Sequence, residues 1–189
     1  CGYTATTCGF VFGPCINASG RIGNTRKGTY LLAVEPGDVT DGGEGIDEVA
    51  QQLVETNKER QDIQKQAMEG AIEIAKTMSD EVIVLHNPEW HPGVVGLVAS
   101  KVKDAVDKPA IVIGIGGSAS CRAVDGFDIG SAVIEAREAG ILLKGGGHPM
   151  AAGLSVETDR IQELRDFMNS KAKGFIHPPT EIDLQYNCG

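Results

Sequence analysis

The residues with the clearest chemical potential form one run, Lys144-Gly145-Gly146-Gly147-His148-Pro149. Three consecutive glycines cost backbone entropy on ordering, so they call for a reason such as positive φ or close approach of main-chain N–H groups to a ligand. Backbone amides in a turn form an anion-binding nest, and Lys144 and His148 can add charge-assisted hydrogen bonds. We predict a phosphate-binding loop here, with a plain tight turn as the alternative. The glycine spacing matches neither a P-loop nor a Rossmann fingerprint.

Two further segments combine turn-forming residues with an arginine. The stretch FGPCINASGR places the amide of Asn17 and the guanidinium of Arg21 four residues apart, and GGSASCR leads from two glycines to Arg122. A planar guanidinium suits phosphate because it donates two parallel hydrogen bonds. Each segment, taken alone, is more typical of a turn that carries a solvated charge.

The distribution of acidic residues links the three segments. The chain has 26 acidic and 17 basic residues and a net charge of −9, which excludes a surface that is basic all over. Asp and Glu are nevertheless missing from residues 1–34, 108–124 and 139–156, and all three segments lie in these windows. We therefore predict that the windows line one face that accepts a polyanion.

The segment Trp90-His91-Pro92 contains the single Trp of the chain and begins a helix pattern. We predict that Trp90 packs in the core and that His91 caps the helix. Gly93 and Gly96 then allow close packing of that helix. Helix N-termini also attract anions, which is the functional alternative for this segment.

Hydrolytic chemistry has no support within the chain itself. A two-metal site requires clustered ligands such as DxD or DHH, and neither cluster occurs in the sequence. A serine nucleophile is equally unsupported, since GxSxG is absent. We expect no catalytic and no metal-binding residues here, and we expect the chain alone to be inactive.

A long helix is predicted to position the first segment relative to the others. Apolar residues recur at helical spacing from Ile46 to Met78, while the stretch Asn57 to Asp62 is polar on all sides. A helix that bridges two domains accounts best for this pattern. A shorter helix is predicted from Thr25 to Val34.

Strand and helix patterns alternate after residue 80, which predicts an α/β fold with a mixed sheet flanked by helices. The predicted strands are EVIVLHN, PAIVIG, Ser118–Val124 and one near Leu154–Val156, and the predicted helices are Pro92–Val106, Asp128–Ala139 and Asp159–Lys173, the last capped by Thr158.

The cysteines and the lengths of the apolar stretches indicate where in the cell the protein is located. The five cysteines form no CxxC pair, so we expect reduced thiols and a cytoplasmic protein. No apolar stretch approaches the roughly 18 to 20 residues of a membrane span, and the first residues lack the features of a secretory signal. We predict no membrane association.

Five ordered motifs, FGPCINASGR, NKERQ, EWHPGVVGLVASKV, CRAVDGFDIGSAV and LLKGGGHPMAAGLSVE, resemble the C-terminal half of RecJ-type single-stranded-DNA exonucleases of the DHH phosphoesterase superfamily. In that family an N-terminal DHH domain holds manganese or magnesium ions, and a long helix and a DHH-associated domain follow. The resemblance implies that residues 1–43 end a DHH domain, 44–79 form the linking helix, 80–174 form the DHH-associated domain, and 175–189 lead into an OB-fold-like domain.

The resemblance also implies a function and a set of site residues. The parent enzyme would remove nucleotides from the 5′ end of single-stranded DNA, with Mn²⁺ or Mg²⁺ bound outside this segment. The segment itself would bind substrate phosphates. The implied substrate-binding residues are Asn17, Arg21, Arg122, Lys144, Gly145, Gly146, Gly147 and His148.

Two departures from the family pattern affect this expectation. Cys15 stands where family members usually have arginine, and Cys121 stands where a small residue is common. Both predict a weaker or differently arranged phosphate site.

Two alternatives stay open. One is a DHH-superfamily phosphoesterase acting on short oligonucleotides or cyclic dinucleotides, and the long helix and the C-terminal tail argue against it. The other is a non-catalytic nucleic-acid-binding module such as the one attached to alanyl-tRNA synthetase. The motif from Asn17 to Arg21 argues against that module.

Overall fold

The computed structural model describes residues 3–23, 25–35, 37–40 and 42–173. Its N-terminal part is helical throughout: α1 (Ala5–Thr7), a π-helical turn (Cys8–Phe12), α2 (Gly13–Ile22) and α3 (Thr25–Ala33). The predicted linker at residues 175–189 lies outside the described residues.

Helix α4 (Ile46–Thr77) has 32 residues and is therefore about 48 Å long. Its buried residues fall in two groups: Val49 and Leu53 near its start, and Ala67, Ala71 and Ala75 near its end. The first part contacts α2 and α3, and the helix also packs against α5 (Pro92–Val106) and β1 (Ile83–His86). The helix thus joins the N-terminal helices to the sheet across a stretch that buries no side chain.

The five-stranded sheet has the order β1-β2-β3-β5-β4. Its other strands are β2 (Ala110–Ile113), β3 (Ser118–Arg122), β4 (Lys144–His148) and β5 (Ala151–Ser155). Strands β1 and β2 are parallel, and the remaining pairs are antiparallel. The predicted mixed α/β fold is confirmed.

Helices cover the two faces of the sheet to different extents. Alternate residues of β2 point to opposite faces, so Ile111 and Ile113 pack with the residues of α6 (Ile129–Glu138) and α7 (Ile161–Lys171). Ala110 and Val112 pack instead with residues of α4 and α5. On this second face the apolar cluster includes residues of β1 and β2 and none of β3, β4 or β5.

The glycine run is the main correction to the sequence-based prediction. Residues 145–147 form the centre of strand β4, and none has positive φ, so the predicted loop with an anion-binding nest is wrong. A methyl group added at Gly147 would lie 2.4 Å from Ala152 Cα, and one at Gly145 would lie 2.8 Å from Val133 Cγ1. A methyl group at Gly146 would meet no atom within 4 Å. Close packing explains why positions 145 and 147 are glycine, but it does not explain the glycine at position 146.

The predicted helix from Asp159, capped by Thr158, is also wrong at its start. Thr158–Arg160 form a 3₁₀ turn, and α7 begins at Ile161 without a side-chain cap. The Arg160 guanidinium donates hydrogen bonds to the Gly140 carbonyl and the Glu163 carboxylate. The contact with Gly140 connects the turn to the residues that follow α6.

Within the described ranges, no helix is both long enough and apolar enough to span a bilayer.

We expect Gly147→Ala to lower the free energy of unfolding by about 1–3 kcal/mol, because the new methyl group would push β4 away from β5. Gly146→Ala is the matched control. It should leave the free energy of unfolding unchanged or raise it by up to about 1 kcal/mol, because it restricts the unfolded chain without a clash. Urea titration of both variants checks the difference, and equal destabilisation would contradict the packing described here.

Candidate nucleic-acid interface

The face of the sheet on which α5 packs carries a polar surface over β3, β5 and β4, and α5 contacts this surface along β3. Strand register places Arg122, Ala151 and His148 in one row across β3, β5 and β4. Residues paired in register point to the same face of the sheet. This face is the one on which helix α5 packs. We call it the polar sheet face; its residues are Ser118, Ser120, Arg122, Lys144, Gly146, His148, Ala151, Gly153 and Ser155. None of them is acidic and none is buried.

Helix α5 holds Arg122 in place at the border of this face. Arg122 Nε donates to Ser100 Oγ at 3.2 Å, and Nη1 donates to the Cys121 carbonyl at 2.8 Å. A methyl group at Gly96 would lie 3.4 Å from Arg122 Nη2, so the absence of a side chain makes room for the guanidinium. Within the described ranges Arg122 forms no ion pair.

The far end of the polar sheet face is fixed through main-chain contacts. Ile129 N donates to the Pro149 carbonyl at 3.1 Å, and Ala123 N donates to the Met150 carbonyl at 3.0 Å. A methyl group at Gly130 would lie 2.8 Å from the His148 carbonyl oxygen, so α6 begins directly against the backbone of β4. The side chain of His148 stays exposed on this rigid support.

The segment predicted to place Asn17 and Arg21 in a turn is instead helix α2, which is a second correction. Its second residue is Pro14, a position that tolerates proline because no helical N–H is lost there. The i, i+4 spacing puts Asn17 and Arg21 on one helix face. The sequence-based prediction missed this helix because its Gly, Pro and Asn content is typical of turns.

The end of α2 lies against the start of α5. Arg21 Nη1 donates to the Gly93 carbonyl at 3.3 Å, and a methyl group at Gly93 would lie only 2.0 Å from the Arg21 carbonyl oxygen. His91 Nδ1 accepts a hydrogen bond from Gly93 N at 3.0 Å, which confirms the predicted cap. Trp90 is 8% exposed, which confirms that it packs in the core.

A cleft of about 240 Å³ lies where α2, α4 and α5 meet. Asn17, Arg21, Arg60 and Leu97 line it together with Pro14 and two glycines. Arg60 comes from the polar middle of α4 and was missed as a site residue. Its signal in the sequence was the NKERQ motif, which was assigned only to the linking helix.

The structure therefore places six of the predicted site residues in two groups. Asn17 and Arg21 line the cleft, whereas Arg122, Lys144, Gly146 and His148 lie on the polar sheet face. Gly145 and Gly147 alternate to the opposite, packed face of β4.

The cysteine at the second family departure does not reach the polar sheet face. Cys121 lies between Ser120 and Arg122 in β3, so its side chain points into the opposite core, where burial raises the pKa of its thiol to about 12. Cys8, Cys15 and Cys121 are free thiols.

The donors at this site do not fit a divalent metal. Guanidinium, ammonium and amide N–H groups bind anions, whereas Mg²⁺ and Mn²⁺ favour carboxylate, carbonyl and water oxygens. Across the described ranges, no cluster of three or more His, Cys, Asp or Glu side chains could hold a metal ion.

Comparison with known proteins identifies relatives of this arrangement. The DHHA1 domain model matches residues 73–174. The single-stranded-DNA-specific exonuclease RecJ of Bacillus subtilis is 36% identical over 97% of this chain and 24% of its own length. The Escherichia coli exonuclease of the same name is 31% identical over 92% of this chain and 31% of its own length. The chain thus spans less than a third of these relatives.

Solved structures of RecJ proteins are also similar to this chain. RecJ from Thermus thermophilus in complex with Mg²⁺ superposes with a TM-score of 0.78, 28% identity and coverage of 94% of this chain and 27% of that one. An exonuclease RecJ bound to manganese gives a TM-score of 0.81, 26% identity and coverage of 95% and 44%. The resemblance drawn from the five motifs is confirmed over nearly the whole chain, and the chain belongs to the DHHA1 domain family.

Proposed function

We propose that this chain is the phosphate-binding segment of a metal-dependent 5′–3′ exonuclease that acts on single-stranded DNA. One observation carries the proposal: none of the described residues that form the polar sheet face, with Arg122, Lys144 and His148, or the cleft, with Arg21, is acidic. The RecJ relatives are single-stranded-DNA-specific exonucleases, which indicates the polyanion that such a surface would bind.

The proposed contacts recognise the phosphate charges of the strand and not its base sequence. The guanidinium of Arg122 would donate two parallel hydrogen bonds to phosphate oxygens, while His148 and Lys144 would add single contacts. Gly146 leaves open space on the sheet face, so a sugar-phosphate chain could lie close to the backbone of β4. Phosphate contacts of this kind position a strand and carry little base preference.

Hydrolysis would take place outside the described residues of this chain. We propose that residues 1–43 complete a DHH domain, that 44–79 link it to the DHH-associated domain at 80–174, and that 175–189 lead onward. The RecJ structures with Mg²⁺ and with manganese support a divalent metal as cofactor of the whole enzyme. The part played by this chain is to hold the strand while that metal site reacts.

Single-stranded DNA should bind with an affinity that falls steeply as salt rises, because binding releases counterions from the strand. Arg122→Gln and His148→Ala should each weaken binding by about 1–3 kcal/mol, the usual value of a hydrogen bond to a charged group. Fluorescence anisotropy with a labelled oligothymidine at several NaCl concentrations checks both expectations. Lys76→Gln removes an exposed positive charge from α4 and should change affinity little. Salt-independent binding, or equal affinity in all variants, would contradict the site.

A chimera tests the activity itself. We expect that B. subtilis RecJ in which this chain replaces the matching segment still degrades 5′-labelled single-stranded DNA with Mn²⁺, since the segment is 36% identical. His148→Ala in the chimera should lower kcat/KM at least about tenfold, the equivalent of roughly 1.4 kcal/mol. A dinucleotide substrate run in parallel distinguishes a short-substrate phosphoesterase. A folded chimera that binds DNA but cuts none, or one that prefers the dinucleotide, would count against the exonuclease assignment.

A further inference from the structure

Ser100 lies on helix α5 with its hydroxyl between two hydrogen-bond partners. Its Oγ atom donates to the Gly96 carbonyl, one turn earlier in the helix, at 3.1 Å. The same oxygen accepts a hydrogen bond from Arg122 Nε at 3.2 Å. A hydroxyl has one hydrogen to donate and two lone pairs that accept, so both bonds can form at once. Ser100 thus connects the backbone of α5 to a side chain of β3.

The guanidinium of Arg122 is held at two separate points. Besides the bond from Nε to Ser100, Nη1 donates to the Cys121 carbonyl at 2.8 Å. A guanidinium carries five N–H groups in one plane, so two fixed bonds set the orientation of the whole group. Within the described part of the chain, the other N–H groups, one on Nη1 and two on Nη2, have no acceptor. The two bonds therefore set the direction of these remaining donors.

The acceptor that holds Nε carries no charge. A carboxylate at the position of Ser100 would also orient the guanidinium, but it would neutralise the positive charge. A serine hydroxyl accepts the hydrogen bond and leaves that charge in place. Gly96 and Ser100 are four residues apart and therefore lie on the same face of α5. Gly96 leaves room for Nη2, which lies 3.4 Å from the position of an added methyl group, and Ser100 supplies the acceptor.

We infer that Ser100 is a positioning residue for Arg122: its hydroxyl orients the guanidinium so that the remaining N–H groups face a phosphate of the bound strand. The identity of this ligand rests on the proposed function. Without the hydroxyl, the Nε–H group loses its acceptor, and only the bond to the Cys121 carbonyl holds the guanidinium. Binding then has to order a mobile side chain, a cost in free energy that an oriented guanidinium avoids.

The binding test uses variants of the chain and labelled oligothymidine, with fluorescence anisotropy at several NaCl concentrations. Ser100→Ala should weaken binding about three- to tenfold, the cost of ordering one long side chain on binding. The salt slope should not change, because the charge of Arg122 remains. Ser100→Thr keeps a hydroxyl and should bind within about twofold of the unmodified chain. Ser170→Ala is the matched control: it removes a hydroxyl that donates to the Phe167 carbonyl of α7, and affinity should not change.

A double-mutant cycle tests whether Ser100 acts through Arg122. If it does, Ser100→Ala should have no further effect on affinity in an Arg122→Gln background, because the group that it orients is gone. An equal loss of affinity in both backgrounds would mean that Ser100 acts by another route and would overturn the inference. Thermal unfolding verifies that every variant is folded.

The orientation of the guanidinium can also be measured without DNA. The Nε–H signal of Arg122 in a proton–nitrogen NMR correlation spectrum, assigned by its loss in Arg122→Gln, should be sharp in the unmodified chain. In Ser100→Ala this signal should broaden and its hydrogen should exchange faster with solvent, because the acceptor is missing. Ser170→Ala should leave the signal unchanged.

The outcomes separate this inference from the proposed function. If Ser100→Ala binds DNA as the unmodified chain does while Arg122→Gln weakens binding, the positioning role is rejected and the proposed function stands. If the unmodified chain does not bind DNA, the proposed function is rejected, and the NMR signal decides the positioning role. A broadened Arg122 signal in Ser100→Ala supports that role, and an unchanged signal overturns it.

Discussion

The arrangement of positive charge depends on close packing against one helix. Gly93 lets the backbone of α2 approach the start of α5, and Gly96 makes room for the guanidinium of Arg122 one turn later. A side chain at Gly93 would overlap the Arg21 carbonyl, so α2 could not stay where it is. Helix α5 therefore contacts both arginines, Arg21 at Gly93 and Arg122 at Gly96 and Ser100.

The two faces of the sheet differ: one packs in the hydrophobic core, and the other is the polar sheet face. Alternate positions of β4 face opposite sides of the sheet. Gly145 packs against Val133, and Gly147 packs against Ala152. Gly146 leaves the polar sheet face unobstructed. Strand β3 shows the same division, since Cys121 is buried in the core and Arg122 borders the polar sheet face. A single strand can thus support the hydrophobic core and present donors to a ligand, because its side chains alternate.

An acidic protein can bind a polyanion when its charges are segregated. The net charge is −9, yet neither the polar sheet face nor the described lining of the cleft contains a carboxylate. At physiological ionic strength, interactions between exposed charges fade beyond about 8 Å, so distant acids oppose binding only weakly. Under the proposed function, the same acids would repel the strand from other surfaces and so favour its approach to this one.

The sequence by itself determined the elements that depend on local patterns: the long helix α4, the helix Pro92–Val106 with its His91 cap, and the buried strands. The missing acids and the family motifs also led to the prediction that Arg122 and His148 bind substrate, which stays a prediction. Only the tertiary structure decided that the glycine run is an edge strand, that Asn17 and Arg21 lie on a helix, and that Arg60 joins them. Those outcomes depend on contacts between segments far apart in the chain, and local composition, which favours turns at Gly and Pro, carries no information about such contacts.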